Sequence, residues 1–245
     1  MLQGVGPRSV LARMIRLACQ DRQYMVSKPG TNQQALRHLR QRDPVMRTII
    51  DEVGPCTLRL ERDRFWMLVR SIISQQISVG AARSIRTRLE QLVAPERVTA
   101  ESLLRFEIDE LRNAGLSPQK ATYLLDLAAK VHAGEVRLRT IGRHCDEAVI
   151  DQLTQVKGIG RWTAQMFLIF ALGRPDVFPE DDLGVRSAIR TCYGLDSLPD
   201  KATAREIAAP WRPYASIASW YCWRSIDLRK NVAGVKKGYT NRLRP

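Results

Sequence analysis

The sequence predicts an all-α fold of about ten helices joined by short connections. Apolar residues recur at steps of three and four along most of the chain, the spacing that places them on one face of a helix. Alternating patterns typical of strands are scarce, and residues 56–60 and 137–141 are the two short candidates. With 44% apolar residues, the 245-residue chain can bury an ordinary core.

The helices begin and end at recognisable signals. Asp63 is the expected N-cap of the first clear helix. Another helix begins near Pro118 and stops at Gly134, because proline suits a helix start and glycine the position past its end. The predicted helices span, in order, residues 64–73, 79–92, 118–131, 150–155, 161–172, 183–192 and 210–226.

Positive charge is concentrated at the two ends of the sequence. Residues 1–60 hold ten basic and four acidic side chains, the last 25 hold seven and one, and residues 61–220 hold 22 and 20. The net charge of +14 indicates a polyanionic partner, nucleic acid first and a membrane surface second, against the alternative of a merely solubilising surface. We expect 1–60 to be a basic extension that packs on the helical body, 61–229 the main domain and 230–245 a basic tail.

Cysteine usage and hydropathy exclude several classes of protein. The five cysteines form no C-x-x-C pair and the chain has three histidines, so neither zinc spacing nor an iron–sulfur loop is visible. An odd cysteine count argues against a disulfide framework and favours a reducing, intracellular compartment. Arg13 and Arg16 interrupt the early apolar stretch, and no apolar run approaches membrane-spanning length. We therefore expect the cytoplasm or nucleoid of a bacterium, or the nucleus of a eukaryote.

The segment 153–164, with the sequence LTQVKGIGRWTA, is the most informative in the chain. Gly158 and Gly160 allow a tight reversal that exposes backbone N–H groups at the next helix start. Such a start binds an anion, here a DNA phosphate, and Lys157 and Arg161 would add charge. Thr163 stands where a dinucleotide loop needs its third glycine, and an ordinary helix-turn-helix corner is the remaining alternative.

This segment resembles the helix-hairpin-helix of DNA base-excision glycosylases, the HhH-GPD superfamily. Upstream, residues 68–82 resemble the helix and turn that carry the DNA-plugging residue; downstream, residues 176–183 resemble the loop that ends in the catalytic aspartate. The similarity is greatest to the alkylbase group, the DNA-3-methyladenine glycosylases of type II, and covers about 62–223. It implies that 61–229 is a glycosylase domain of two helical subdomains with the active-site cleft between them.

The resemblance assigns the catalytic carboxylate to Asp182. A fixed carboxylate stabilises the oxocarbenium character of the sugar and orients the attacking water. The alternative role of Asp182 is to cap the next helix, and the two roles are compatible. Asp181 and Glu180 match weaker positions and are expected to be solvated or supporting. Where relatives that also cut the backbone carry a lysine nucleophile, this chain has Trp162, which predicts a hydrolase without lyase activity.

Aromatic side chains are the expected walls of the lesion pocket. A base alkylated on a ring nitrogen is cationic and stacks on electron-rich rings, a contact worth about 0.5–2 kcal/mol. The resemblance places Trp162 and Trp220 in the pocket, with Met166 where some relatives have tyrosine. Four further aromatic residues could add walls: Trp66, Tyr214, Tyr221 and Trp223. For Trp66, Tyr221 and Trp223, core packing is the preferred interpretation.

The resemblance also names DNA and cation contacts. Everting a base leaves a gap in the duplex, which a side chain from turn 75–77 fills. Gln76 is the better match and Gln75 a near alternative. The hairpin contacts expected at the phosphate are Lys157, Gly158, Ile159, Gly160, Arg161 and Thr163. The carbonyls expected to hold a structural sodium or potassium ion are those of Thr154, Val156 and Ile159. No catalytic cofactor and no iron–sulfur cluster are expected.

These features together predict a monofunctional DNA glycosylase. It would release alkylated purines, of the 3-methyladenine and 7-methylguanine type, from double-stranded DNA and leave an abasic site in base-excision repair. We expect a monomer with no membrane partner. Two alternatives stay open: a non-catalytic helix-hairpin-helix protein that only binds DNA, and a sister glycosylase for deaminated or oxidised bases. The loop at Asp182 and the aromatic set separate the enzyme from the DNA-binding module.

Overall fold

The structure, a computed structural model, describes residues 31–240, with side chains over 32–229. Within that range the chain forms α-helices and two 3₁₀ turns, and no strand is present. The predicted all-α fold is confirmed. None of the helices in the described range combines the length and apolarity that crossing a membrane requires.

Twelve α-helices follow one another over the described residues. In chain order they are α1 (Thr31–Arg42), α2 (Pro44–Val53), α3 (Arg64–Ser74), α4 (Val79–Val93), α5 (Ala100–Leu103), α6 (Ile108–Asn113), α7 (Pro118–His132), α8 (Asp146–Leu153), α9 (Arg161–Phe170), α10 (Leu183–Cys192), α11 (Lys201–Ala208) and α12 (Ala215–Thr240). The 3₁₀ turns lie at Ile141–Arg143 and Ala209–Trp211.

Several helix ends differ from those predicted. Helix α8 begins at Asp146 rather than 150, because two acidic residues in its first turn suit the positive end of the helix dipole. Helix α12 begins later than predicted, at Ala215, since Pro213 has no N–H to donate to a preceding turn. It then continues to Thr240, through the first part of the predicted tail. The strand candidate 137–141 is a turn, in which Ile141 N donates to Arg137 O at 2.8 Å.

The chain divides into two compact units. The first is Glu61–Leu172; the second combines, among the described residues, 31–60 with 173–240. In the first unit, α3 packs on α4, α7 and α9, and α8 packs on α9. In the second, α12 packs on α2 and α10 around a core that includes Trp211 and Tyr221. Residues 31–60 therefore contribute core helices to the second unit, and the division predicted at residues 60 and 229 stays a prediction.

A buried carboxylate organises the second unit. Asp43 caps α2 through Oδ1, which accepts from the N–H groups of Val45 and Met46 at 2.9 and 3.0 Å. Its Oδ2 accepts from Trp211 Nε1 at 2.8 Å and from the hydroxyl of Tyr193. Burial, and then the contact with Asp43, raise the pKa of Tyr193 far above its usual range. Asp43 thus contacts side chains that are 150 and 168 positions away in sequence.

Candidate DNA-binding hairpin and catalytic loop

The two glycines of the hairpin between α8 and α9 lie in different environments. Gly158 has φ +80°, and a Cβ there would collide with the ring of Tyr123, so both backbone and space require glycine. Gly160 has φ −92°, and nothing lies within 4 Å of a Cβ added to it. Packing within the chain therefore does not require glycine at 160. The open space there leaves room for a ligand to approach the backbone.

The start of α9 has the form expected of an anion site. Its N-cap is Gly160, which has no side chain to cap the helix. Arg161 forms a two-pronged ion pair with Glu147, with N–O distances of 2.9 and 2.6 Å, so its charge is partly balanced. Ile159 and Thr163 are each only 4% exposed. Any contact of these two residues with DNA would therefore be made through the backbone, and the expected DNA contacts of the hairpin stay predictions.

Helix α7 supports the hairpin from behind. The ring of Tyr123 covers Gly158, and the carboxylate of Asp126 accepts the backbone N–H of Lys157 at 2.8 Å. Asp126 also pairs with Lys130 at 2.8 Å. Burial alone would raise the pKa of Asp126, but the hydrogen bonds from Lys130 and Lys157 outweigh it and lower the pKa. The charge of Asp126 therefore stabilises the turn.

The turn after α3, called the glutamine turn below, contains Gln75 and Gln76 in different environments. The side-chain amide of Gln75 donates to the carbonyl of Gly158 at 2.8 Å, so this side chain is held on the hairpin. Gln76 is exposed and has φ +56°, an uncommon conformation for a residue other than glycine. Ile77 and Val79 follow it on the surface, and Val79 is 85% exposed. The exposure of this apolar pair was not predicted from the sequence.

Asp182 lies in the second unit, where it caps α10. Its carboxylate is buried, with the residue 8% exposed, and Oδ1 accepts the N–H of Val185 at 2.8 Å. The same oxygen accepts the indole N–H of Trp223 at 2.9 Å. The predicted cap is therefore present, and a second donor fixes the carboxylate. Sequence reasoning assigned Trp223 to core packing and so missed this contact.

The other acidic residues of the loop are bound in ion pairs. Asp181 pairs with Lys201, and Glu180 pairs with Arg205. Both basic residues, Lys201 and Arg205, belong to α11, a helix that was not predicted from the sequence. The supporting role expected of these two acids is consistent with these contacts, which anchor the loop to α11 and leave Asp182 as its buried carboxylate.

The expected pocket residues lie in both units. In the first unit, Trp162 is 42% exposed at the second position of α9, while Met166 is buried one turn later. Trp66 is partly buried near the start of α3. In the second unit, Trp220 is largely buried, and its ring meets that of Tyr221 edge to face at 4.9 Å. Their roles in a lesion pocket stay predictions.

The two tyrosines of the aromatic set are held by contacts within the second unit. Tyr214 is partly buried and meets His38 edge to face at 5.4 Å between ring centroids. Tyr221 is fully buried and donates to the carbonyl of Gly54 at 2.8 Å. Core packing, the preferred interpretation for Tyr221, agrees with this burial.

The chain matches a known protein family. Residues 69–213 match the family model of the HhH-GPD superfamily of base excision DNA repair proteins. The chain belongs to this superfamily. The matched range includes the glutamine turn, the hairpin and Asp182, and it ends before Trp220 and Trp223. The family predicted from the three sequence motifs is confirmed.

Individual HhH-GPD relatives resemble this chain over most of its length. The alkylbase DNA glycosidase-like protein mag2 of Schizosaccharomyces pombe is 28% identical over 210 residues, 84% of this chain and 99% of that protein. A Bacillus subtilis relative, provisionally assigned as a DNA-3-methyladenine glycosylase, is 30% identical over 185 residues, 73% of this chain and 64% of that protein. The structure of the S. pombe 3-methyladenine DNA glycosylase Mag1 in complex with abasic DNA superposes with a TM-score of 0.70 at 31% identity, covering 78% of this chain and 95% of Mag1.

Proposed function

We propose that this protein is a monofunctional DNA glycosylase that releases alkylated purines from double-stranded DNA. The observation that carries the proposal is the buried carboxylate of Asp182, held by two donors in a chain of the HhH-GPD superfamily. The names of its relatives, which refer to 3-methyladenine and alkylbase glycosylases, support the choice of substrate. The protein would act as a monomer inside the cell and leave an abasic site.

The reaction needs one fixed negative charge beside the sugar. Hydrolysis breaks the bond between C1′ and the base nitrogen, and the base leaves with the bonding electron pair. Positive charge then develops on C1′ and the ring oxygen, and a nearby carboxylate lowers its energy. Water forms the new C–O bond at C1′, and Asp182 can accept the proton that this water loses.

The leaving group explains why one carboxylate suffices. A purine methylated at N3 or N7 is already cationic, so it becomes neutral when it takes the bonding pair. No acid is needed to protonate it. The ion pairs of Glu180 with Arg205 and of Asp181 with Lys201 agree with this scheme, because both neighbouring carboxylates are engaged in structural contacts with α11.

Strand cleavage by the enzyme is not part of the proposed reaction. A lyase needs an amine that attacks C1′ and forms a Schiff base. At the corresponding position of α9 this chain has Trp162, whose indole nitrogen has no nucleophilic lone pair. The product is therefore an abasic site in an intact strand.

Two surfaces of the first unit would bind the duplex. The backbone around Gly160, at the start of α9, would hold a phosphate without reading sequence. Gln76 is the candidate for filling the gap left by the everted base, because the side chain of Gln75 is already bound to the hairpin. The basic ends of the chain would add non-specific attraction.

The hairpin carbonyls are compatible with a structural sodium or potassium ion. The carbonyl of Val156 accepts the N–H of Ile159 at 3.1 Å, and a carbonyl oxygen has a second lone pair. Together with the carbonyls of Thr154 and Ile159 it would supply the neutral oxygen ligands that such ions prefer. The ion would stabilise the turn and its phosphate contact, and it takes no part in the chemistry.

The test measures base release from a duplex that contains 7-methylguanine. We expect free base without strand scission until alkali is added, and no covalent adduct after borohydride treatment. Asp182→Asn should lower the release rate about 100-fold or more while the duplex is still bound. Asp181→Asn is the matched control, because it changes the adjacent carboxylate, and it should stay within about threefold of the wild type.

Three results would decide against the proposal. Binding without release from any modified duplex would favour the non-catalytic DNA-binding protein. Release of only deaminated or oxidised bases would favour the sister glycosylase. Full activity of Asp182→Asn would remove the catalytic assignment.

A further inference from the structure

We propose that Trp223 is a positioning residue for the Asp182 carboxylate, an inference that rests on the function proposed above. The indole nitrogen of Trp223 donates to Asp182 Oδ1 at 2.9 Å across 41 positions of sequence. Trp223 belongs to α12 and Asp182 to the start of α10, two helices that pack on each other in the second unit. The bond therefore ties the carboxylate to a different helix from the one that it caps.

Oδ1 of Asp182 accepts hydrogen bonds from two helices. The N–H of Val185, in the first turn of α10, donates to it at 2.8 Å. The indole N–H approaches the same oxygen from α12. Two donors from different helices together hold Oδ1, and with it the carboxylate charge, in one position. The reaction depends on that position, because a misplacement of about 1 Å can cost about 100-fold in rate.

Gly184 provides the space in which this bond forms. A Cβ at position 184 would lie 3.0 Å from Asp182 Oδ1 and 3.1 Å from Cδ1 of the Trp223 ring. Both neighbours would have to shift apart to accommodate it. The backbone of Gly184 is helical and does not itself require glycine, so the requirement arises from the two side chains.

The same unit contains a matched bond that has no link to the proposed chemistry. Trp211 Nε1 donates at 2.8 Å to Oδ2 of Asp43, a buried carboxylate that also caps a helix. Replacing either tryptophan by phenylalanine removes an indole donor from a buried capping carboxylate. The two variants therefore share their structural cost, and only Trp223→Phe should affect catalysis.

The experiment measures single-turnover release of 7-methylguanine, affinity for an abasic duplex and melting temperature. Trp223→Phe should lower the release rate about 10- to 100-fold and change the affinity by less than about threefold. Trp211→Phe should lower the melting temperature. At temperatures below its melting transition, its release rate should stay within about threefold of the wild-type rate. Gly184→Ala should reproduce the rate loss of Trp223→Phe, because it separates the same two side chains.

A double variant tests whether Trp223 acts through Asp182. In the Asp182→Asn background, Trp223→Phe should cause no further loss of the residual rate. An equal loss in both backgrounds, or an equal loss in Trp211→Phe, would overturn the positioning role. If the wild type releases methylated base and Trp223→Phe is equally active, this inference is wrong and the proposed function stands. If the wild type releases no methylated base, the proposed function is wrong.

Discussion

The ammonium nitrogen of Lys120 lies 2.7 Å from the backbone carbonyl oxygen of Gln75 and donates a hydrogen bond to it. The same group donates to the carbonyl of Ile73 at 2.7 Å, so it satisfies carbonyls that the end of α3 leaves without a helical partner. Burial lowers the pKa of Lys120. With the side chain of Gln75 bound to Gly158, the backbone on the N-terminal side of Gln76 is held from two directions.

Because the preceding backbone is anchored in this way, the backbone strain at Gln76 and the role of its side chain at the DNA can be tested separately. Gln76→Gly should raise the free energy of unfolding by about 1 kcal/mol, because glycine adopts φ +56° without a Cβ clash. Both Gln76→Gly and Gln76→Ala should slow the release of 7-methylguanine, since neither has a side chain to fill the gap in the duplex. Urea unfolding and single-turnover kinetics provide the two measurements.

Gln75→Ala is the control for the turn. It removes the bond to Gly158 and should lower the free energy of unfolding by about 1 kcal/mol. Wild-type release by Gln76→Gly would show that Gln76 is not the side chain that supports the everted state.

The hairpin glycines give a second prediction, because their environments differ. Gly158→Ala should lower the free energy of unfolding by about 2–4 kcal/mol, since φ is +80° and the Tyr123 ring occupies the space of the Cβ. Gly160→Ala should change stability by less than about 1 kcal/mol, yet weaken binding of duplex DNA because a methyl group obstructs the backbone. Thermal unfolding and fluorescence anisotropy separate the two effects.

The loss of affinity in Gly160→Ala should be similar for duplexes of different sequence, as expected of a phosphate contact. An unchanged affinity at low salt would count against an anion site at the start of α9. A Gly158→Ala variant as stable as the wild type would contradict the account of that turn.

The parts of the structure that could be predicted are those with local causes. Helix α10 spans the predicted residues because Asp182 caps it and its apolar residues recur at helical spacing. Helices α5 and α6 were missed because four and six residues are too few to display a period. Their capping boxes, at Thr99 and Glu107, were the available signals.

The parts that could not be predicted depend on contacts between distant segments. Nothing near Asp43 in the sequence indicates that its second oxygen accepts from Trp211 and Tyr193. Likewise, a tryptophan on an apolar helix face normally fills the core, so Trp223 gave no sign of its bond to Asp182. The G-x-G pattern also treats its two glycines alike, whereas the structure distinguishes them by the positive φ of Gly158 and by the position of Tyr123.

The carboxylate behind the hairpin makes stability depend on pH in a defined direction. Although burial opposes it, hydrogen bonds from Lys130 and Lys157 hold the pKa of Asp126 below its ordinary value of 3.8. The ionised form therefore stabilises the folded state above pH 3.8, and this contribution is lost as pH falls through the lowered pKa. Asp126→Asn should cost about 1 kcal/mol at pH 7, and the difference from wild type should become smaller as pH falls below 3.8. Urea unfolding between pH 3 and 7 measures it, with Asp109→Asn, an exposed partner of Arg112, as the control that should cost less than about 0.5 kcal/mol. A difference that persists unchanged at the lowest pH would show that the charge of Asp126 does not stabilise the turn.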